Sequence, residues 1–198
     1  MRTPFQRQDG RSSFFDHRLG VHVVKVLPGE FLVGADDDVI VTVLGSCVAA
    51  CLRDPALGIG GMNHFMLPAR GEGGSALANA AFGLQAMELL IGELVKRGSR
   101  RDVLQAKVFG GAAVTDAFSY AAVGTQNAKF IVEYLRAEGI KLVAADLEGI
   151  HPRKVYFAPG TGRVDVKYLR STQSISAREA TYRTKIEHEP AHGTVDLF

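Results

Sequence analysis

The sequence predicts a single α/β (α+β) domain in which β-strands are packed with two main helices. Three observations lead there. The chain has 198 residues, enough for one domain with a substantial core and short for two. Short runs of β-branched and small apolar residues follow one another between Gly and Pro punctuation. Two longer stretches instead repeat apolar residues at helical spacing. A hydrophobic content of 46% and a charged content of 22% are near globular averages, which excludes disorder throughout and a fibrous class.

Residues 1–19 are Arg, Gln, Ser and Asp with scattered Phe5, Phe14 and Phe15 and no sustained period, so a flexible N-terminal arm is expected. Residues 21–26 and 31–33 predict short strands divided by "LPGE". Residues 39–44 and 47–52 predict two more, separated by Gly45 and Ser46. "RDPALGIGG" supplies a turn, and the extended pattern resumes over 59–67 to complete a hairpin. Ser75 is placed to cap a helix in which Leu77, Ala81, Leu84, Ile91, Leu94 and Val95 recur, ending in Lys96, Arg97 and Gly98. A strand over 106–109 runs into Gly110-Gly111, and a second helix is expected over 125–138. That helix pairs Phe130 with Tyr134 and Ile131 with Leu135 and stops at Gly139. Residues 141–144 predict a strand, and "KVYF" and "RVDVKYL" flank "APGTG" as a closing hairpin. The domain is therefore expected over 20–171, with a polar tail over 172–198.

Composition narrows the function. A net charge of +2 without an aromatic-basic stripe argues against a nucleic-acid partner. No apolar run approaches the roughly 20 residues that span a bilayer, and no secretory pattern follows the N-terminal arginines, so a cytoplasmic protein without membrane insertion is expected. The two cysteines, Cys47 and Cys51, have neither the spacing of a redox pair nor partners enough for a zinc site. "HEPAH" over 188–192 matches the letters of a two-histidine zinc helix, but Pro190 between the histidines would break that helix at a cost of about 3 kcal/mol or more. Gly73-Gly74 and Gly110-Gly111 lack the Gly-Lys-Ser/Thr context of a phosphate loop and read as turns.

The chemistry-bearing stretch is "VTVLGSCVAACLRDPALGIGGMNHFMLP", which encloses a Cys in "GSC" and a His in "MNHF". With the turn centred near Pro55-Ala56, residues whose numbers sum to about 111 or 112 face each other, which sets Cys47 opposite His64 or Phe65. A slip of one residue would turn His64 to the other face, and the sequence leaves that register open. Cys51, four residues on, suits core packing. Cys47 differs because it follows Gly45-Ser46, a bend whose backbone N–H groups near Ser46 and Cys47 can receive an oxyanion. A basic imidazole would take the proton of a thiol whose ordinary pKa is about 8.5. A third group should hold that imidazole in one tautomer, and the hydroxyl of Thr42 is a candidate, although spacing alone favours an ordinary β-branched strand residue there.

At "LGSCVAACLRDP" followed by "GGMNHFMLP" the sequence resembles the CheD family of chemoreceptor glutamine deamidases, including the spacing from Cys47 to His64. The resemblance continues through "FGGA", "VGTQN" and "RKVYFAPGTGRVDVKYLR" and covers roughly residues 21–170. It implies a domain with helices layered against β-sheet, similar to certain deamidating toxin domains. It also implies hydrolysis of selected glutamine side chains of methyl-accepting chemoreceptors to glutamate in chemotaxis adaptation. By position, Cys47 corresponds to the nucleophile and His64 to the general base and acid. The family Thr lies six residues before the Cys in some relatives; Val41 stands there in this chain, and Thr42 is five before. No metal or organic cofactor is implied. Partners implied by the resemblance are the chemoreceptors of a signalling array and, for some members, a CheC-type phosphatase. Two other readings fit the same residues: a non-catalytic protein that binds receptors and such a phosphatase, and a cysteine peptidase using the same dyad.

Overall fold

Val39–Leu44 and Val48–Asp54 nearly adjoin in sequence, yet the three residues between them carry the chain from one β-sheet into another. The computed structural model describes residues 13–17, 20–68, 76–114, 118–170, 175, 177, 179–182 and 184. Its strands begin with β1 (Ser13–Asp16), β2 (Val21–Lys25), β3 (Phe31–Ala35), β4 (Val39–Leu44), β5 (Val48–Asp54) and β6 (Ile59–Asn63). Then come helix α1 (Ala76–Lys96), β7 (Gln105–Gly110), helix α2 (Phe118–Ala137), β8 (Lys141–Leu147), β9 (Arg153–Ala158) and β10 (Arg163–Tyr168). One sheet has the order β1-β2-β4-β9-β10 and the other β3-β6-β5-β7-β8. Pairing is antiparallel except for β2 with β4 and β7 with β8.

The layers follow from the period-2 alternation of β5, a strand buried on both faces. Val48, Ala50 and Leu52 face Met87, Leu90, Ile91 and Leu94 of α1 and Ile131 and Leu135 of α2. Cys47, Ala49 and Cys51 face the other way, toward Ile40, Leu44, Val155 and Phe157 of the first sheet. The result is three layers, sheet on sheet on helices, with both cysteines in the layer between the sheets. The α/β (α+β) class, the two helices and the closing hairpin agree with the sequence reading. Among the described residues no helix is long and apolar enough to cross a membrane.

Several expectations change. The hairpin register sums to 113, with Cys51 opposite Met62 and Val48 bridged to Phe65, rather than 111 or 112. Asp54 moves the turn: its Oδ1 accepts the N–H groups of Ala56 and Leu57, and its carbonyl accepts that of Gly58, which sits at φ +66°. The loop then holds four residues, 55–58. Cys47 is consequently not directly opposite His64; the ladder sets the two on one face, one diagonal step apart.

The arm expected over 1–19 contributes β1, which pairs with β2 and is tied down by Tyr156 Oη donating to Asp16 at 3.0 Å. Phe5 lies outside the described residues, as does Ser75, the expected cap of α1. The buried stripe of α1 is Met87, Leu90, Ile91 and Leu94, which leaves Leu84 and Val95 on its exposed flank. Helix α2 begins earlier than expected, at Phe118, and the tail is not uniformly solvated: Ile175 and Glu179 are buried. His188 to His192 lie outside the described residues.

Candidate active site

The crossover from β4 to β5 sets up the site. A chain leaving one ladder before joining the next has backbone groups that neither ladder uses. The carbonyls of these residues turn inward and are each satisfied: Gly45 by Ala112 N–H at 2.8 Å, Ser46 by Asn127 Nδ2 at 2.8 Å, and Cys47 by Gly111 N–H at 2.8 Å. Their N–H groups face the opposite way and converge. Successive N–H groups fixed in this manner make a concavity for an anion or a developing oxyanion. Asn127, fully buried on α2, also accepts the Leu67 N–H at 2.8 Å and so ties together the chain segments that follow His64 and precede Cys47.

The imidazole is placed by a second departure from regular pairing. Between the Cys51–Met62 and Val48–Phe65 pairs, Asn63 Oδ1 accepts the Ala50 N–H at 2.9 Å in place of a backbone carbonyl. The His64 backbone bonds instead to the turn after β2, donating to Glu30 O at 2.9 Å and accepting from Gly29 N–H at 2.7 Å. Its Nδ1 lies 2.7 Å from Thr42 Oγ1 on β4. Thr42 Oγ1 is also 2.8 Å from the Val26 carbonyl, which can only accept. A hydroxyl has one proton, so Thr42 donates to Val26 and must accept from His64. That fixes the neutral imidazole as the Nδ1–H tautomer and leaves the lone pair on Nε2. Nε2 is buried and has no hydrogen-bond partner among the described residues.

Cys47, Thr42 and His64 are thus brought to one buried region, 0%, 1% and 2% exposed. Cys51 packs in the same layer as an ordinary core thiol, and burial pushes its pKa above the usual cysteine range. Sequence reasoning missed Asn127 as the residue holding the crossover, and it missed Glu179. The Glu179 carboxylate accepts the N–H groups of Gly45 at 2.8 Å, Ser46 at 3.0 Å and Cys47 at 3.2 Å, and the Ser46 hydroxyl at 2.7 Å. A signal did exist: Ile175, Glu179 and Tyr182 stand at i, i+4 and i+7 in a stretch read as a polar tail.

Electrostatics follow from this packing. Burial, then the charge of Glu179 and a hydrogen bond to it, push the Cys47 thiol well above its ordinary range. Burial lowers the His64 pKa from 6.5 to about 4, although the Glu179 charge pulls it upward. The pair therefore rests as thiol and neutral imidazole. Stability follows: between pH 6.5 and about 4 the unfolded chain binds a proton at His64 that the folded chain does not, so stability falls as pH falls through that window. The loss is on the order of 3 kcal/mol. Denaturant midpoints measured from pH 7 to pH 4 should show this acid sensitivity reduced in His64→Asn; identical slopes would mean that His64 is not buried as a neutral base.

Among the described residues no three His, Cys, Asp or Glu side chains are grouped to hold a metal ion. The sheet-to-sheet crossover with its converging N–H groups thus shares one buried region with a thiol and an imidazole oriented by a hydroxyl. The chain belongs to the CheD family: the family model "CheD chemotactic sensory transduction" matches residues 66–168. A protein of Thiobacillus denitrificans is 47% identical over 100% of both chains. One from Ralstonia pickettii is 49% identical over 94% of this chain and 80% of its own, and one from Xanthomonas campestris pv. campestris 50% over 92% of each. All three are named "Probable chemoreceptor glutamine deamidase CheD". Among solved structures, the Bacillus licheniformis hypothetical protein YfiH overlaps 59% of this chain and 50% of its own at 15% identity, with a TM-score of 0.35, a likeness too slight to bear on the fold.

Proposed function

We propose that this chain is a protein-glutamine deamidase that hydrolyses selected glutamine side chains of methyl-accepting chemoreceptors to glutamate, releasing ammonia, in chemotaxis adaptation. The observation that carries the reading is the relative matched end to end at 47% identity and named for that activity. The chemistry of the site supports it. Cys47 is assigned as nucleophile, with His64 Nε2 taking the thiol proton as the sulfur adds to the carboxamide carbon. The N–H groups of Ser46 and Cys47, together with that of Gly45, receive the oxyanion. The C–N bond then breaks and the proton on His64 leaves with the amine as ammonia. Water, deprotonated by His64, attacks the thioester, and the thiol departs to leave glutamate.

Thr42 is assigned as the residue that positions His64. Thr42→Val keeps the shape and removes the acceptor of the Nδ1 proton, leaving a buried donor unpaired at a cost of about 1–3 kcal/mol. A corresponding fall in kcat of about 5- to 150-fold is expected, largely restored by Thr42→Ser. Equal activity in Thr42→Val and wild type would remove Thr42 from the site.

The catalytic unit is assigned to residues 20–171. Association with receptor arrays in the cytoplasm and with a CheC-type phosphatase accompanies this reading. It is tested by the intact mass of a cytoplasmic receptor fragment incubated with the protein. A gain of about 1 Da per site, as OH replaces NH₂, is expected. Shortened fragments would indicate a peptidase, and an unchanged mass would leave the binding role in its place.

A further inference from the structure

We propose that Glu179 is an internal product analogue: the C-terminal segment that carries it closes the active site by placing a glutamate carboxylate on the oxyanion donors. The inference rests on the deamidase reading above and concerns the regulation of that same site.

The product of the reaction is a glutamate side chain whose carboxylate leaves from the oxyanion donors. Glu179 is that group, held by the N–H groups of Gly45, Ser46 and Cys47 and by the Ser46 hydroxyl. It is 2% exposed although it comes from a stretch of mostly polar sequence. A carboxylate so buried is retained only where donors compensate for its lost hydration, and here four donors reach it.

The surroundings of the segment agree. Ile175, Ala177, residues 179–182 and Thr184 are helical, with Thr181 and Thr184 hydroxyls donating to the carbonyls of Ala177 and Ala180 four residues back. Ile175 and Glu179 turn inward while Ala177, Thr181 and Thr184 are exposed, and Tyr182 packs against the layer between the sheets. Two glycines make room for the segment. A Cβ on Gly29 would lie 2.9 Å from the Tyr182 ring, and one on Gly45 would lie 2.9 Å from the Glu179 carboxylate. With the segment in place, the cavity bounded by Thr42, His64, Ile175 and Glu179 holds about 30 Å³. Such a volume admits about one or two water molecules. The negative charge beside Cys47 also opposes thiolate formation. A substrate glutamine must therefore displace Glu179 from the same four donors.

Glu179→Gln turns the plug into a substrate. The carboxamide carbon would lie beside Cys47, ammonia would leave, water would supply the new oxygen, and residue 179 would revert to glutamate with a gain of about 1 Da. As an intramolecular event the conversion should be first order and independent of protein concentration, and it should be absent from the Cys47→Ala, Glu179→Gln double variant. Two full-length variants test closure separately. Glu179→Ala and Tyr182→Ala, the latter acting only on docking, should each alkylate Cys47 with iodoacetamide at least tenfold faster than wild type, as read by peptide mass, with Cys51 as the buried reference. Both should deamidate the receptor fragment faster than wild type, and thermal melting would verify folding. If the carboxamide introduced by Glu179→Gln persists and Cys47 alkylates at one rate in every folded variant while wild type still modifies the receptor fragment, the plug is wrong and the deamidase stands. If alkylation accelerates but no variant adds mass to the fragment, closure holds and the deamidase reading fails.

Discussion

Cys47→Ala is expected to reduce deamidation of a receptor fragment by on the order of 10³-fold or more, to the background of the fragment alone, because no other group in the site can form the thioester. The loss should fall on kcat. Cys47 packs between the sheets, and its replacement removes one sulfur from a layer that also contains Leu44, Met66 and Phe109. The fold should therefore survive with a modest loss of stability. That combination makes the variant informative in cells as well. If Cys47→Ala protein restores receptor adaptation, binding is the function and the thiol is a core residue; if it binds the receptor fragment and fails to adapt, chemistry is required.

The second large effect is expected at Gly110, at the end of β7. Its φ of +112° is a conformation that side-chain-bearing residues rarely adopt, and a Cβ there would lie 2.1 Å from the Cys47 carbonyl oxygen. Backbone cannot give way as a flexible side chain would. Gly110→Ala must therefore move the crossover or β7, and that crossover is held by Gly111, Ala112 and Asn127. A destabilisation of at least about 3 kcal/mol is expected from strain and lost packing. For a chain of this size that is a fall in Tm of about 6–12 °C. Activity should fall further than the folded fraction does, since a displacement of about 1 Å at Cys47 alone costs on the order of 10²-fold. An unchanged Tm and unchanged activity would show that the approach of Gly110 to Cys47 does not constrain the site. Gly34 makes a useful contrast, because the nearest atoms there belong to the movable Asp38 side chain.

Much of this molecule was legible in short stretches of sequence, because those features depend on local physics. β-Branched runs make strands, 3.6-residue periodicity with a glycine stop makes helices, and Asp-Pro followed by glycine makes a turn. The chain order of Cys47, His64 and the Thr42 candidate was equally plain. What local rules do not carry is which strand joins which sheet. Nothing near Gly45 and Ser46 states that β4 and β5 part company there, because pairing β4 with β9 and β5 with β7 is decided more than fifty residues away. The hairpin register also escaped, since the side chain of Asp54 rather than the turn residues alone set the length of the loop.

The sequence by itself therefore determined the element types, the α/β (α+β) class, and a thiol, an imidazole and a hydroxyl within one short span. Only the tertiary structure decided how they work together. Thr42 lies on β4 of one sheet and His64 just past the end of β6 of the other, and their hydrogen bond exists because the two sheets pack face to face. The three N–H groups converge because Gly111 and Ala112, just past the end of β7, and Asn127 of α2 hold the opposing carbonyls. Glu179 reaches those groups from 132 residues beyond Cys47, a distance at which no periodicity or spacing rule operates. Such contacts cost chain entropy that only a packed core can offset, so they are properties of the assembled layers rather than of any segment.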